Sequence, residues 1–292
     1  HKLGFSTNLS SSMKVLPFKI PKPKNEALVY QIDREQVFYD QLHQHGEIQI
    51  SYVEKGAGSL IVGDSINEYK AGEILVIGSF IPHVFRSDTR IKEESLMHTL
   101  FFDEDSFGKN FFQLTDLSST QGFFKKSVFG MRILSRKSKI IPLFKALSHQ
   151  NKVEQIASLL LIINQINKSK TTPLSSFVYR KSFTDDEGKR MSQVYDYAME
   201  KYQEPITLDK IAEKANMSKN AFCRYFKKRT NKTFFQFLIE IRIENACKVL
   251  IKNPELSVAD IAEQCGFNNI ANFNRKFRTF KNCTPTQYRN QF

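Results

Sequence analysis

The stretch IAEKANMSKNAFCRYFKKRTNKT, residues 211–233, returns fifty residues later as IAEQCGFNNIANFNRKFRTFKNCT, residues 261–284. Ile211-Ala212-Glu213 aligns with Ile261-Ala262-Glu263; beyond the next turn the offset grows by one, and Phe222, Arg224, Phe226 and Lys227 align with Phe273, Arg275, Phe277 and Arg278. A repeat of this length marks one supersecondary unit used twice. In the first copy Leu208, Ile211, Ala212 and Ala215 share one helical face, and Asn216 or Met217 turns the chain. Ser218 stands where a second helix needs its N-cap, and Phe222, Tyr225 and Phe226 anchor that helix. The second copy turns at Gly266 and offers Asn268 or Asn269 as the cap. Each copy is thus a helix-turn-helix unit.

With Phe222 and Phe226 inward, Asn220, Cys223, Arg224 and Lys227 share the outward face at i, i+3, i+4 and i+7. The equivalent face of the second copy carries Ile270, Ala271, Asn274, Arg275 and Arg278. Arginine can donate two hydrogen bonds to guanine and asparagine can pair with adenine, while Ile270 and Ala271 can touch thymine methyls, so both faces suit a major groove. The helix N-termini at Ser218 and Asn269, with Lys219, Lys228, Lys232 and Lys281, are placed to grip phosphates without reading sequence. A solvated charge remains the simpler account of Lys228 or Lys232 taken singly.

The charge balance agrees with this assignment. The chain has 292 residues and a formal charge of +13, and residues 187–292 hold 19 lysines and arginines against 11 acids. No acid occurs between Lys219 and Ile239, and none after Glu263. Solvated helical faces usually mix signs, so two acid-free basic stretches favour a polyanionic partner. A hydrophobic fraction of 41% excludes bulk disorder. No apolar run approaches the roughly 18 residues that span a bilayer. The N-terminus lacks the pattern of a signal peptide, and four cysteines, all after residue 220, form no disulfide framework. A reducing, cytoplasmic setting is expected.

Working back toward the N-terminus, residues 27–103 alternate polar and apolar positions between glycines, as in Ile48-Gln49-Ile50-Ser51-Tyr52 and Ser59-Leu60-Ile61-Val62. Many short strands at such spacing predict a sandwich or a barrel. From Ser106 to Ser169 the period becomes helical, with Ile140, Ile141, Phe144 and Leu147 followed by Val153, Ile156, Leu159, Leu160, Ile163 and Ile166. The second stripe suits either packing on the barrel or the seam of a homodimer. Residues 168–186 are polar and broken by Pro173, which predicts a linker. His43 and His45 share one strand face with Glu47 and Gln49, and His83 follows a glycine-bounded strand.

Three stretches carry a family resemblance: Ile261-Ala262-Glu263-Gln264-Cys265-Gly266-Phe267, Phe273-Asn274-Arg275-Lys276-Phe277 and Thr284-Pro285-Thr286-Gln287-Tyr288-Arg289. Through them residues 187–292 resemble the AraC/XylS transcription regulators. The resemblance implies two helix-turn-helix units joined by a long helix, about Thr233 to Lys252, that place their second helices in successive major-groove turns. It carries base reading to Asn220, Cys223 and Arg224 in the first unit, and to Ile270, Ala271, Asn274 and Arg275 in the second. Asn231 and Asn282 stand where that family commonly has glycine; asparagine also tolerates a left-handed C-cap. Cys223 is a poor hydrogen-bonding reader.

The front part resembles the cupin barrel that precedes the DNA-binding part in many such regulators. That implies an effector site at His43, His45, Gln49 and His83; by their position in the sequence Tyr52, Phe85 and Arg86 are expected at its border, with Arg86 able to pair an anionic effector. It also offers a divalent-metal set of His43, His45, Glu47 and His83; Gln49, at the usual third ligand position, is a weak ligand. The expected whole is α+β: a cupin-like sensor barrel (1–105), a helical connector with candidate dimerisation helices (106–167), a linker (168–186) and an all-α double helix-turn-helix domain (187–292). Its expected partners are double-stranded DNA, a small-molecule effector and a second copy of the chain, with no membrane. A metal-dependent cupin enzyme with a basic helical appendage is the competing expectation, against which the weak ligand Gln49 argues.

Overall fold

The structure, a computed structural model, describes residues 26–88, 93–179 and 183–291. Its first seven strands are β1 (Val29–Glu35), β2 (Ile48–Lys55), β3 (Ala57–Val62), β4 (Ser65–Lys70), β5 (Glu73–Ile77), β6 (His83–Ser87) and β7 (Ser95–Phe102). Then come α1 (Gln121–Ser127), β8 (Met131–Ile133), α2 (Lys137–Ala146), α3 (Lys152–Asn167) and β9 (Thr171–Pro173). They form a six-stranded sheet in the order β1-β7-β2-β5-β8-β9 and a three-stranded sheet in the order β4-β3-β6. The two sheets do not close on each other, so the expected barrel is an open sandwich among the described residues.

Strand alternation sorts the layers. Along β2, Ile48, Ile50 and Tyr52 belong to the core shared with Phe144, Leu159, Ile162, Ile163 and Ile166 of α2 and α3. Gln49, Ser51 and Val53 face the small sheet. On β3, Leu60 and Val62 look back toward the large sheet, while Ser59 and Ile61 look outward. The apolar stripe of the connector thus packs on the large sheet, each fully buried leucine or isoleucine contributing about 1.5–3 kcal/mol. Val153 and Leu161 stay outside that contact, 76% and 50% exposed.

Part of the stretch expected as a linker is built into the sandwich. Thr171–Pro173 extend the large sheet as its edge strand, and Leu174 and Ser175 are buried. Pro173 is tolerated because an edge strand need not donate on its open side.

The remaining chain is helical: α4 (Asp185–Lys201), α5 (Leu208–Lys214), α6 (Lys219–Thr230), α7 (Phe234–Lys252), α8 (Val258–Gln264), α9 (Ile270–Lys281) and α10 (Pro285–Arg289). This domain docks on the outer face of the small sheet. One apolar core runs from Val53, Ile61 and Val84 through Tyr179 to Tyr195, Phe222, Phe226 and Phe237. A separate core surrounds the second helix-turn-helix unit, built on Ile243, Leu250, Ile261, Phe273 and Phe277. The molecule is therefore four layers deep, in the order connector helices, large sheet, small sheet, DNA-binding domain.

Candidate nucleic-acid interface

The two units are built alike from their caps inward. Thr207 accepts from the Lys210 amide at 3.3 Å to start α5, and Ser257 from the Asp260 amide at 3.1 Å to start α8. The turns close on equivalent bonds: Met217 N donates to Ala212 O at 2.9 Å, and Phe267 N to Ala262 O at 2.9 Å. Ser218 Oγ then accepts from Ala221 N at 3.4 Å, and Asn269 Oδ1 from Asn272 N at 2.9 Å, satisfying amides the helix leaves open. Both second helices end on a left-handed asparagine, Asn231 at φ 57° and Asn282 at φ 58°, as expected at those positions. The fully buried pairs Phe222 and Phe226, and Phe273 and Phe277, fix the rotation of α6 and α9 about their axes.

That rotation leaves every expected DNA-facing residue exposed: Ser218, Lys219, Asn220, Cys223, Arg224 and Lys227 in the first unit, Asn269, Ile270, Ala271, Asn274, Arg275 and Arg278 in the second. Ile270 is 42% exposed at the start of α9; an apolar residue there gains nothing from water. Arg275 Nη2 donates to Asn272 Oδ1 at 3.0 Å, which steadies its guanidinium at the helix surface. Lys219 pairs with Asp209 at 2.7 Å between two exposed groups, a contact of small worth that a phosphate can displace.

Two of the expected phosphate-gripping lysines are engaged elsewhere. Lys281 Nζ donates to both oxygens of Glu244 at 2.7 Å, and Lys232 Nζ donates to Glu240 Oε2 at 2.6 Å. Both are half-buried braces between the ends of second helices and α7. Lys228 is exposed.

The units are held in a fixed relation. Arg242, on α7, donates from Nε to Tyr202 O at 2.7 Å and from Nη2 to Glu204 O at 3.0 Å, tying the connecting helix to the segment that precedes the first unit. The turn of the second unit rests on the same segment. Gly266 sits at φ 82°, where an added Cβ would lie 2.7 Å from Tyr202 O and 2.9 Å from Gln203 O. The glycine is thus required twice, by its backbone angle and by this close approach.

The contacts to the sandwich were not legible in the sequence. Asp64, in the β3–β4 turn, is fully buried and accepts from Ser175 Oγ at 2.7 Å, from Ser176 N at 2.9 Å and from the Ser176 hydroxyl. Burial alone would raise its carboxyl, but these hydrogen bonds and the Lys232 charge outweigh it and hold the pKa below the ordinary value. Glu240 accepts from Ile66 N at 3.1 Å; burial pushes its carboxyl up, and Lys232 offsets only part of that. Tyr195 donates to Gly63 O at 3.1 Å, Lys248 to Ser59 Oγ at 2.7 Å, and Arg86 is bonded to Asp196 of α4. Arg229, on α6, pairs with Glu187 and stacks 4.8 Å over Phe183. Arg86 is therefore an interdomain brace. Tyr52 faces the connector, against His98 and Phe144, and Phe85 packs on Phe38 and Tyr69.

Between the sheets, His43, His45 and His83 come together, with ring nitrogens within 4.8 Å of one another. Each Nδ1 meets a backbone carbonyl, of Gln41 at 2.8 Å, Glu47 at 2.9 Å and Ile81 at 2.8 Å, which fixes the tautomer and leaves Nε2 as the lone-pair nitrogen. Nε2 of His45 and of His83 face the Gln49 amide at 3.2 and 3.0 Å. That arrangement is satisfied when Gln49 turns its N–H groups to the rings and its oxygen to Ser51, or when a cation takes the lone pairs. Burial lowers all three imidazole pKa values, His43 to about 4, so the rings are neutral near pH 7. The donor set fits a divalent ion. Glu47 does not join it: its carboxylate stands 3.7 Å from His45 Nδ1, on the other edge of that ring.

Two capped helices with exposed polar faces, held by one connecting helix, have the arrangement in which second helices can enter a major groove. Residues 211–291 match the family model of a helix-turn-helix domain. The regulator YdeC of Bacillus subtilis is 36% identical over 34% of this chain and 34% of its own length. The Msm operon regulatory protein of Streptococcus mutans is 21% identical over 83% of this chain and 84% of its own. A probable AraC family transcriptional regulator from Rhodopseudomonas palustris is similar in structure at 22% identity, with a TM-score of 0.34, over 35% of this chain and 96% of that one. Through this domain the chain is similar to helix-turn-helix transcription regulators, and it spans about a third of the length of the first of these relatives. None of the described helices is long and apolar enough to cross a membrane.

Proposed function

We propose that the whole chain is a sequence-specific transcription regulator in which α6 and α9 enter successive major-groove turns and a ligand held in the sandwich sets how they are presented. The observation that carries this reading is the exposure of both polar helix faces on anchored, capped helices. Arg224 and Arg275 read guanine edges, Asn220 and Asn274 read adenine edges, and Ile270 and Ala271 meet thymine methyls. The neutral Cys223 adds shape more than hydrogen bonding. Ser218 and Asn269 present helix N-termini to phosphates, with Lys219, Lys227 and Arg278 beside them.

The effector site in this reading is His43, His45, Gln49 and His83. The convergence of three imidazole rings favours a divalent cation over an organic molecule as the sensed species. The three rings would hold it, and a bound ion would supply charge that pulls β6 and the strand-like segment at His43 together. The signal would pass across the small sheet to α4 and α7, because Arg86 and Gly63 bond to α4 while Ser59 and Ile66 bond to α7. Any such response requires that the ligand bind two arrangements with different affinity. A homodimer covering Val153 and Leu161 of α3 belongs to the same reading, and its check is the mass of the full chain in solution.

The test is selection of duplexes by the full chain, followed by binding over a salt series. The expected result is a reproducible motif of two half-elements about one helical turn apart and a steep salt slope. No sequence enrichment would overturn the reading. Calorimetric titration with zinc, run on the wild type and on His45→Ala, tests the sensed species; binding that survives the substitution unchanged removes the cation from this site.

A further inference from the structure

The two basic surfaces of this chain lie in different layers. Residues 106–170 hold 11 lysines and arginines against 2 acids, while residues 26–105 hold 15 acids against 6 lysines and arginines. An acidic sandwich therefore separates the basic connector from the basic DNA-binding domain. Three connector cations are used inside the chain: Arg132 on Glu73, Lys145 on Glu54 at 3.3 Å and Lys152 on Glu26 at 3.0 Å.

Five others gather at one corner, where the start of α2 meets the end of α3. Lys170 N donates to Ser135 Oγ at 2.8 Å, Leu134 N to Lys170 O at 2.9 Å and Ser169 Oγ to Ser135 O at 3.1 Å, so the two chain segments are stitched together. Arg136 Nη1 donates to Gln165 Oε1 at 3.3 Å, which lays the guanidinium along α3. Arg136, Lys139, Lys168 and Lys170 are exposed and Lys137 half so. No acid of the described residues pairs with any of them within ion-pair distance. The helix start adds to the field: Arg136 is left-handed at φ 59°, no side chain caps α2, and its first turn carries no acid. Held this close, like charges repel one another, and a polyanion relieves that cost.

We infer that this corner docks a second segment of duplex DNA through its phosphates, without reading its sequence. The cations are spread over two helix ends, which suits a run of phosphates better than a single anion. Two stacked sheets, about 10 Å apart, and the acidic surface they carry lie between the corner and α7. The corner is thus a separate site rather than an extension of the α6 and α9 surface. Duplex is also the polyanion at hand: a molecule held on its target has neighbouring DNA at high effective concentration, and a weak surface becomes occupied.

The experiment uses the full chain, a short duplex chosen by selection and carrying one dye, and an unrelated duplex carrying another, at about 50 mM salt, where phosphate contacts are strong. Wild type is expected to bring the two duplexes into one complex. R136E/K139E/K168E/K170E is expected to bind the selected duplex as wild type does and to capture the unrelated one at least tenfold less. Equal capture by the variant overturns the proposal; it is also the outcome if two protomers of a dimer each held one duplex on their recognition helices. Should the fourfold variant fold poorly, R136A/K139A is expected to lower the salt slope of unrelated-duplex capture by about 0.9 for each phosphate no longer gripped, and an unchanged slope overturns the idea. Capture of phosphatidylglycerol vesicles by wild type with no capture of a second duplex also overturns it, and assigns the corner to a lipid surface.

Discussion

At the scale of single residues, the groups that face outward and those that end a helix do different work. Arg224→Ala and Arg275→Ala are each expected to cost about 1–3 kcal/mol of binding to the selected duplex and to relax preference at one position, read by anisotropy titration against base-substituted duplexes. Lys228→Ala should weaken all duplexes alike and lower the salt slope by about one. Asn231 tests the cap. At φ 57° a Cβ-bearing residue without a local hydrogen-bonding side chain is strained, so Asn231→Ala should lose roughly 1 kcal/mol of stability in denaturant unfolding, while Asn231→Gly should stay close to wild type. Such positions were readable in the sequence because a cap is a local matter: Ser218, Asn269 and both C-cap asparagines act on backbone atoms a few residues away.

Among elements, the repeat pointed to both helix-turn-helix units and even the rotation of α6 and α9, since two phenylalanines four residues apart leave little choice of face, while the long α7 was expected only from the family resemblance. It did not reveal that α10 opens as α7 does, although Thr284 with Gln287 reproduces the capping box of Thr233 with Gln236. The strand alternation located the sheets but not their failure to close, because closure depends on which edges meet, and the alternation is the same in a sandwich and a barrel. Pro173 pointed to a linker and instead marks an edge strand. Gly266 is the element-scale test. Gly266→Ala should cost about 1–3 kcal/mol of stability and, by disturbing the seat of the second unit on Tyr202 and Gln203, should weaken a duplex carrying both half-elements more than one carrying a single half-element. Equal loss on both duplexes would show that the seat does not set the relation of the units.

For the whole molecule, the decisive contacts join residues more than a hundred positions apart. Asp64 with Ser175 and Ser176, Ile66 with Glu240, and Gly63 with Tyr195 pair groups that carry no mutual signal in one sequence. Asp64→Asn should lower the stability of the full chain by about 1–3 kcal/mol, since buried donors lose a charged acceptor. The pH dependence follows from the shifts. Asp64 is held below its ordinary value, so its contribution is present above about 3.8 and lost as pH falls through the depressed pKa. Glu240 is raised, so its contribution is full below about 4.5 and declines as pH rises through the raised pKa. The difference in unfolding free energy between wild type and Asp64→Asn should therefore shrink on acidification below about pH 3.8, and Glu240→Gln should flatten the decline on the alkaline side.

The single core that runs from the sandwich into the first helix-turn-helix unit, beside a second core confined to the other unit, divides the molecule unequally for unfolding. Amide protons of α5 and α6 should exchange in step with those of the small sheet, whereas α8 and α9 should open as a smaller cooperative block of their own. Cutting the chain between sandwich and DNA-binding domain would then expose apolar surface of the first unit only. The second unit would keep its fold while its twin lost a wall, so a severed domain is expected to behave on DNA as a half-reader.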